Sequence, residues 1–218
     1  MQPEKRAKNR LDYILSLANV GKNDRVLNVG VSNIPEIEIA LENQVKECWT
    51  IDLDRKKLDN ARKYLKKTKL IHGNIYDGSL LKKGYFDTII ILEVLEHLED
   101  DNRAVKILKS YLKKGGTIIA SVPNRHLLHL FNPVMYTQHK RHYSNLMAKQ
   151  LFSRNGLHVD HLNVVECWTL LASLYYHLIM KVLFRREVSF GIFKGVADRT
   201  YGQINKSGLD IVLRARNH

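Results

Sequence analysis

The chain has 218 residues, 44% of them hydrophobic and 26% charged, and a formal net charge of +13. That size and balance suit one sizeable globular domain with a buried core. Cys48 and Cys167 lie in different segments without metal-ligand spacing, so neither a disulfide framework nor a zinc site is expected. The positive excess is either a solvated basic surface or a footprint for an anionic partner: RNA, an acidic lipid surface or an acidic substrate.

Residues 3–20 carry Leu11, Ile14, Leu15 and Ala18 at helical spacing behind a basic run of Lys5, Arg6, Lys8 and Arg10. Gly21 stands where a helix-closing glycine belongs. The leading residues lack the apolar run of a secretory signal, so a cytoplasmic location is expected, with peripheral attachment to the inner membrane face as a variant.

A short apolar run, Val26-Leu27-Asn28-Val29, then ends at Gly30, the pattern of a parallel strand buried on both faces. The turn Val31-Ser32-Asn33 leads into a helix, for which Asn33 is the expected N-cap and Glu36 the residue reaching back to it. After the helix fades near Asn43, a second apolar run, Cys48 to Ile51, ends on Asp52. Glycine at the first turn and a carboxylate at the second strand tip suit a nucleoside, whose ribose diol the carboxylate can accept from. A dinucleotide fits less well. Gly30, Ser32 and Pro35 fill the G-x-G-x-x-G positions, and Glu36 and Glu38 oppose a pyrophosphate. A phosphate-free ligand is expected, and S-adenosylmethionine is one.

Downstream, a helix is predicted over Asp54 to Lys67, a strand at Leu70-Ile71-His72 ending at Gly73, and a central strand at Phe86–Leu92. Asp100 or Asp101 caps the next helix, with Ala104, Ile107, Leu108 and Tyr111 inward, and Lys113–Gly116 turns it into a strand at Thr117–Val122. Ser144 caps a helix with Leu146, Met147, Leu151 and Phe152 inward. Leu157–Val165 and Leu209–Ala215 read as the last strands.

Five segments, VLNVGVSN, WTIDLDRKKLDNARKYL, IHGNIYD, YFDTIIILEVLEHLED and ILKSYLKKGGTIIASVPN, fall in a familiar order over roughly Arg25 to Asn124. Together they resemble the class I S-adenosylmethionine-dependent methyltransferases, in the branch holding the ubiquinone-biosynthesis O-methyltransferases and many small-molecule enzymes. The resemblance implies an α/β, Rossmann-like, seven-stranded, mostly parallel sheet with helices on both faces, here with a helical insertion before the last strand. It places Asn28, Gly30 and Ser32 at the cofactor turn, Asp52 on the ribose with Leu53 beside it, and Asn74 and Ile75 at the adenine, with Asp77 a substitute for Asn74. Leu92 and Glu93 then lie under the methionine half, and His97 points to the cofactor or the substrate pocket. Three positions depart from the family pattern. Asn28 stands where an acidic residue is usual, and Ser32 and Ile34 replace turn glycines.

The segment after Asn124 holds His126, His129, His139 and His142 among Arg125, Tyr136, Lys140, Arg141 and Tyr143, with no acidic residue, which argues against a metal site. It is a solvated basic loop or, by resemblance, the substrate-side loop. In the second case Asn124, Arg141 and Tyr143 contact the acceptor, Arg141 by pairing with a carboxylate or phosphate, and His142, His139 or His97 serves as the base.

The expected organisation is a single domain over 1–218. It comprises a leading helix (1–24), a cofactor-binding core (25–124), a substrate-side loop, helix and strand (125–165), a helical insertion (166–206) and a closing strand (207–218). Within the insertion Trp168–Phe184 is apolar but too short to span a bilayer; lid, dimer contact and in-plane membrane helix all remain open. The expected function is transfer of methyl from S-adenosylmethionine to a small-molecule acceptor, acidic or lipid-like, with oxygen the favoured nucleophile. Alternatives are a catalytically silent module of the same fold at a membrane surface, or an RNA methyltransferase, for which no appended RNA-binding module is visible. A monomer and a homodimer fit equally.

Overall fold

The computed structural model describes residues 10–125, 140–165 and 210–218. Seven strands form one sheet in the order β3-β2-β1-β4-β5-β7-β6. These are β1 (Arg25–Val29), β2 (Glu47–Asp52), β3 (Lys69–His72), β4 (Phe86–Leu92), β5 (Leu112–Pro123), β6 (His158–Val165) and β7 (Asp210–Arg216). The first five run parallel, and β7 inserts antiparallel between β5 and β6.

The central strands lack alternation because both their faces are covered. Leu27, Val29, Ile89, Ile91, Ile118 and Ala120 belong to one core cluster, and Val26, Ile90 and Ile119 to the other. The first is roofed by α4 (Asp101–Tyr111) and α5 (Asn145–Ser153), the second by α1 (Arg10–Ala18) and α2 (Glu36–Leu41). A third cluster packs α3 (Arg55–Ala61) through Leu58 and Ala61 against Val31.

Several helix ends follow sequence rules. Asp54, Asp100 and Ser144 are N-caps whose side chains accept from backbone N–H groups one turn in. Others need correction. Asn33 does not cap α2: the N-cap is Pro35, no side chain bonds there, and the Asn33 carbonyl accepts from Asn60 instead. Asn19 at φ 45, not Gly21, turns the chain out of α1. The helix expected to Lys67 is regular only over Arg55–Ala61. In α5 the buried stripe is Ala148, Leu151 and Phe152, while Leu146 and Met147 are exposed. In α1 it is Tyr13, Ile14, Leu17 and Ala18, because Tyr13 is anchored by β6: its hydroxyl bonds His161 and accepts from Asn163.

No helix among the described residues is long and apolar enough to cross a membrane. The predicted insertion (166–206) lies outside the described residues, as do His126, His129, Tyr136 and His139.

Candidate functional site

The chain leaves β1 toward β2 and β3 on one side and β4 and β5 on the other, so the loops after the parallel strands part above β1. A crevice at such a switch point is where open α/β sheets bind ligands. Here it is a cavity of about 520 Å³, within the range of small-molecule sites. Its walls include Asn28, Gly30, Ser32, Asp52, Leu53, Asn74, Ile75, Leu92, Glu93 and His97, all expected from the sequence to lie at the site.

Gly30 is forced to be glycine. Its φ is +84°, and a Cβ there would come within 2.7 Å of Val94 Cγ2. Its N–H donates to Ile51 O at 2.9 Å, which brings the first turn against the tip of β2. Asp52 completes that junction. Its Oδ2 accepts from Val31 N and its Oδ1 from Asp54 N, both at 2.7 Å. Each carboxylate oxygen keeps a second acceptor direction for a ligand hydroxyl. Leu53, 67% exposed, and the buried Ile75 supply apolar surface beside it. The Asn74 amide oxygen accepts from Tyr76 N, while Asp77 is occupied with the N–H and hydroxyl of Ser79.

The β4 end of the cavity is charged. Glu93 takes a left-handed conformation (φ 52), which is costly for a residue with a Cβ and is found where function fixes the backbone. Its Oε1 accepts from Ser121 Oγ at 2.5 Å and pairs with Arg10 at 3.5 Å. Glu96, three residues on, is fully buried, and neither of its carboxyl oxygens has a hydrogen-bond donor. Burial, then the charge of Glu93, pushes its carboxyl up to about 9. His97 lies at the cavity with Nε2 3.8 Å from Glu96 Oε1.

The other expected acceptor residues do not line this cavity. Arg141 donates to Glu99 O at 2.7 Å and approaches Asp101 at 3.5 Å, and Tyr143 is buried in the core with its hydroxyl on Asp101. Asn124 forms an isolated bridge with Tyr143. His142 is half-buried; burial, then the charge of Arg125, holds its ring below the ordinary histidine value.

Sequence reasoning did not place Arg10 at the cavity and did not foresee how Glu38 is held there. Arg10 comes from α1 and reaches a strand end 83 positions away. Glu38 folds back onto β1 and β2, where it accepts from Asn28 and Thr50. The signal for Arg10 was its place at the close of the basic run before the α1 stripe. For Glu38 it was a carboxylate recurring two residues after Glu36 on a short helix.

Comparison with known proteins points the same way. Residues 27–120 match the family model described as a methyltransferase domain. Over 125 residues the chain is 30% identical to the ubiquinone biosynthesis O-methyltransferase of Vibrio parahaemolyticus, covering 54% of this chain and 52% of that protein. The match thus spans about half the length of such curated relatives. Among solved structures, a putative methyltransferase from Bacillus halodurans superposes with a TM-score of 0.68 at 15% identity, covering 95% of this chain and 98% of that one. The N-methyltransferase NodS of Bradyrhizobium japonicum, in complex with S-adenosylhomocysteine, gives 0.61 at 17% identity, covering 95% and 85%. At these identities the structures establish the fold.

Proposed function

From the match of residues 27–120 to the methyltransferase-domain model, we propose that the chain transfers methyl from S-adenosylmethionine to the oxygen of a small-molecule acceptor. The observation that carries this reading is Asp52, a carboxylate at the tip of β2 whose oxygens are fixed by two backbone N–H groups and still have room to accept. A ribose diol is the ligand group such a pair of oxygens suits. Leu53 and Ile75 would cover the base and Asn74 would meet its polar edge. No glycine-rich cradle for a pyrophosphate accompanies them, because Ser32 and Pro35 occupy those positions.

When bound, the cofactor supplies a methyl group already activated on a sulfonium. What remains for the protein is alignment, exclusion of water and removal of the acceptor's proton. Arg10, paired with Glu93 at the β4 end, is a cavity cation whose guanidinium suits an amino-acid carboxylate. Leu11 and Ile14 of α1 give the cavity an apolar side wall, suited to an aromatic or lipid-like acceptor. His97 is the base of choice among the described residues, since it alone of the histidines expected at the site lines the cavity. His142, whose ring burial and the charge of Arg125 hold below the ordinary histidine value, is the second candidate, although it does not line the cavity. Oxygen is favoured as the nucleophile by the name of the Vibrio parahaemolyticus relative.

Titration calorimetry with S-adenosylhomocysteine and NAD, followed by transfer of labelled methyl to a panel of catechols, phenols and amines, tests the reading. Binding of the former nucleoside and labelling of a hydroxyl are expected. Binding of NAD alone would overturn the cofactor assignment, and labelling of amines alone would overturn the acceptor.

A further inference from the structure

Deep in the cavity sits a carboxylate that no cation among the described residues balances. Glu38 is 1% exposed, although it belongs to a six-residue surface helix. Its side chain reaches between β1 and β2, where Asn28 and Thr50 are register partners. Oε1 accepts from Asn28 Nδ2 at 2.7 Å and from Thr50 Oγ1 at 2.8 Å. Both donors are neutral and both use the same oxygen. Among the described residues no Lys, Arg or His forms an ion pair with Glu38, and no donor reaches Oε2. Yet the side chain lines the cavity.

A carboxylate this buried is costly unless a positive charge comes close. The cavity is the open approach, so the missing cation is best supplied by the ligand. Its place along the cavity says which part of the ligand. Asp52 lies two residues beyond Thr50 on β2, at the sugar end; Glu38 is bonded to both β2 and β1, the strand between β2 and β4, and Glu93 with Arg10 marks the β4 end. A nucleoside held at Asp52 and extending toward β4 carries its amino-acid tail past Glu38. That tail bears one ammonium and one carboxylate. Arg10 suits the carboxylate, and Glu38 suits the ammonium.

We propose that Glu38 recognises the ligand's ammonium group and makes affinity depend on the amino-acid tail rather than on the nucleoside alone. This rests on the reading of the cavity as an S-adenosylmethionine site. It also accounts for Asn28: at that position an amide donates to the Glu38 carboxylate and fixes it, which a second carboxylate at pH 7 would not do.

The test compares two ligands on two proteins by titration calorimetry: S-adenosylhomocysteine, and 5′-methylthioadenosine, which has the same nucleoside thioether without the amino acid. Glu38→Gln keeps an acceptor oxygen for Asn28 and Thr50 and removes only the charge. It should lose about tenfold or more in affinity for S-adenosylhomocysteine and change by less than about twofold for methylthioadenosine. Equal losses for both ligands, or none for either, would overturn the proposal. Should the variant not fold, the unmutated protein is titrated with the desamino analogue of S-adenosylhomocysteine. A loss of about tenfold relative to the parent supports the proposal, and equal affinity overturns it. Failure of the unmutated protein to bind either nucleoside is a separate result, which removes the cofactor reading itself and the proposal with it.

Discussion

Replacing Glu96 by Gln should stabilise the protein at neutral and alkaline pH and leave it unchanged in mild acid. Glu96 is fully buried, its carboxyl oxygens have no donor, and the Glu93 carboxylate is close enough to repel a second charge. Folding therefore holds the carboxyl protonated up to about 9, against an ordinary value of 4.5. Below pH 4.5 the group is neutral in both the folded and the unfolded chain and costs nothing. Between those two values the unfolded chain releases the proton and the folded one keeps it. Stability then falls by about 1.4 kcal/mol per pH unit, and above about 9 the loss is complete. At pH 7 the accumulated cost is on the order of 3 kcal/mol. Gln has the shape of the neutral acid and no proton to lose. For a chain of this size the gain is worth roughly 5–10 °C in Tm. Thermal unfolding of both proteins at half-unit steps from pH 5 to 9 measures it, and the gap should widen steadily with pH. A gap that stays constant, or a variant less stable at pH 8, would refute the argument that the buried carboxyl is kept neutral.

Three further outcomes follow from the same geometry. Asp52→Ala should weaken S-adenosylhomocysteine binding at least about tenfold by calorimetry, because it removes the carboxylate proposed to accept from the sugar and frees the N–H groups of Val31 and Asp54; unchanged affinity would take Asp52 out of the site. Gly30→Ala should cost at least about 2 kcal/mol in urea unfolding and abolish nucleoside binding, since the new methyl meets Val94 in a left-handed backbone; a fully stable, binding variant would contradict the cause assigned to this glycine. Burial pulls the Glu47 carboxyl up, but hydrogen bonds from Trp49, Tyr85, Lys69 and Arg25 outweigh it and hold the group down at about 2. Its contribution is therefore present above pH 4.5 and fades as pH falls toward 2, so Glu47→Ala should lower stability by about 1–2 kcal/mol at pH 7 and by much less near pH 3 in chemical denaturation.

Much of the architecture was legible from residues close together in the chain. Phe86–Leu92 reads as a strand buried on both faces because Thr88 to Ile91 form an unbroken β-branched run, and both faces are covered. Gly30 and Asp52 are legible because each ends a strand, and a parallel strand's end is where the next turn begins. Helix faces were less so. In α5 a stripe built from Leu146 and Met147 satisfies the same period as one built from Ala148, Leu151 and Phe152, and only the packing against β6, β7 and α4 selects the second.

What the sequence alone determined is the set of strands, their buried character and the glycine and carboxylate at the head of the crevice, since these depend on local pattern and on a backbone that admits few alternatives. Tertiary structure decided which charges meet. It brought Arg10 to Glu93 and folded Glu38 under Asn28 and Thr50. It also drew Tyr143 and Arg141 to Asp101 rather than to the cavity, and seated β7 between β5 and β6. Electrostatic pairing depends on distance and burial, and no local periodicity in a chain encodes the distance between residues 83 positions apart.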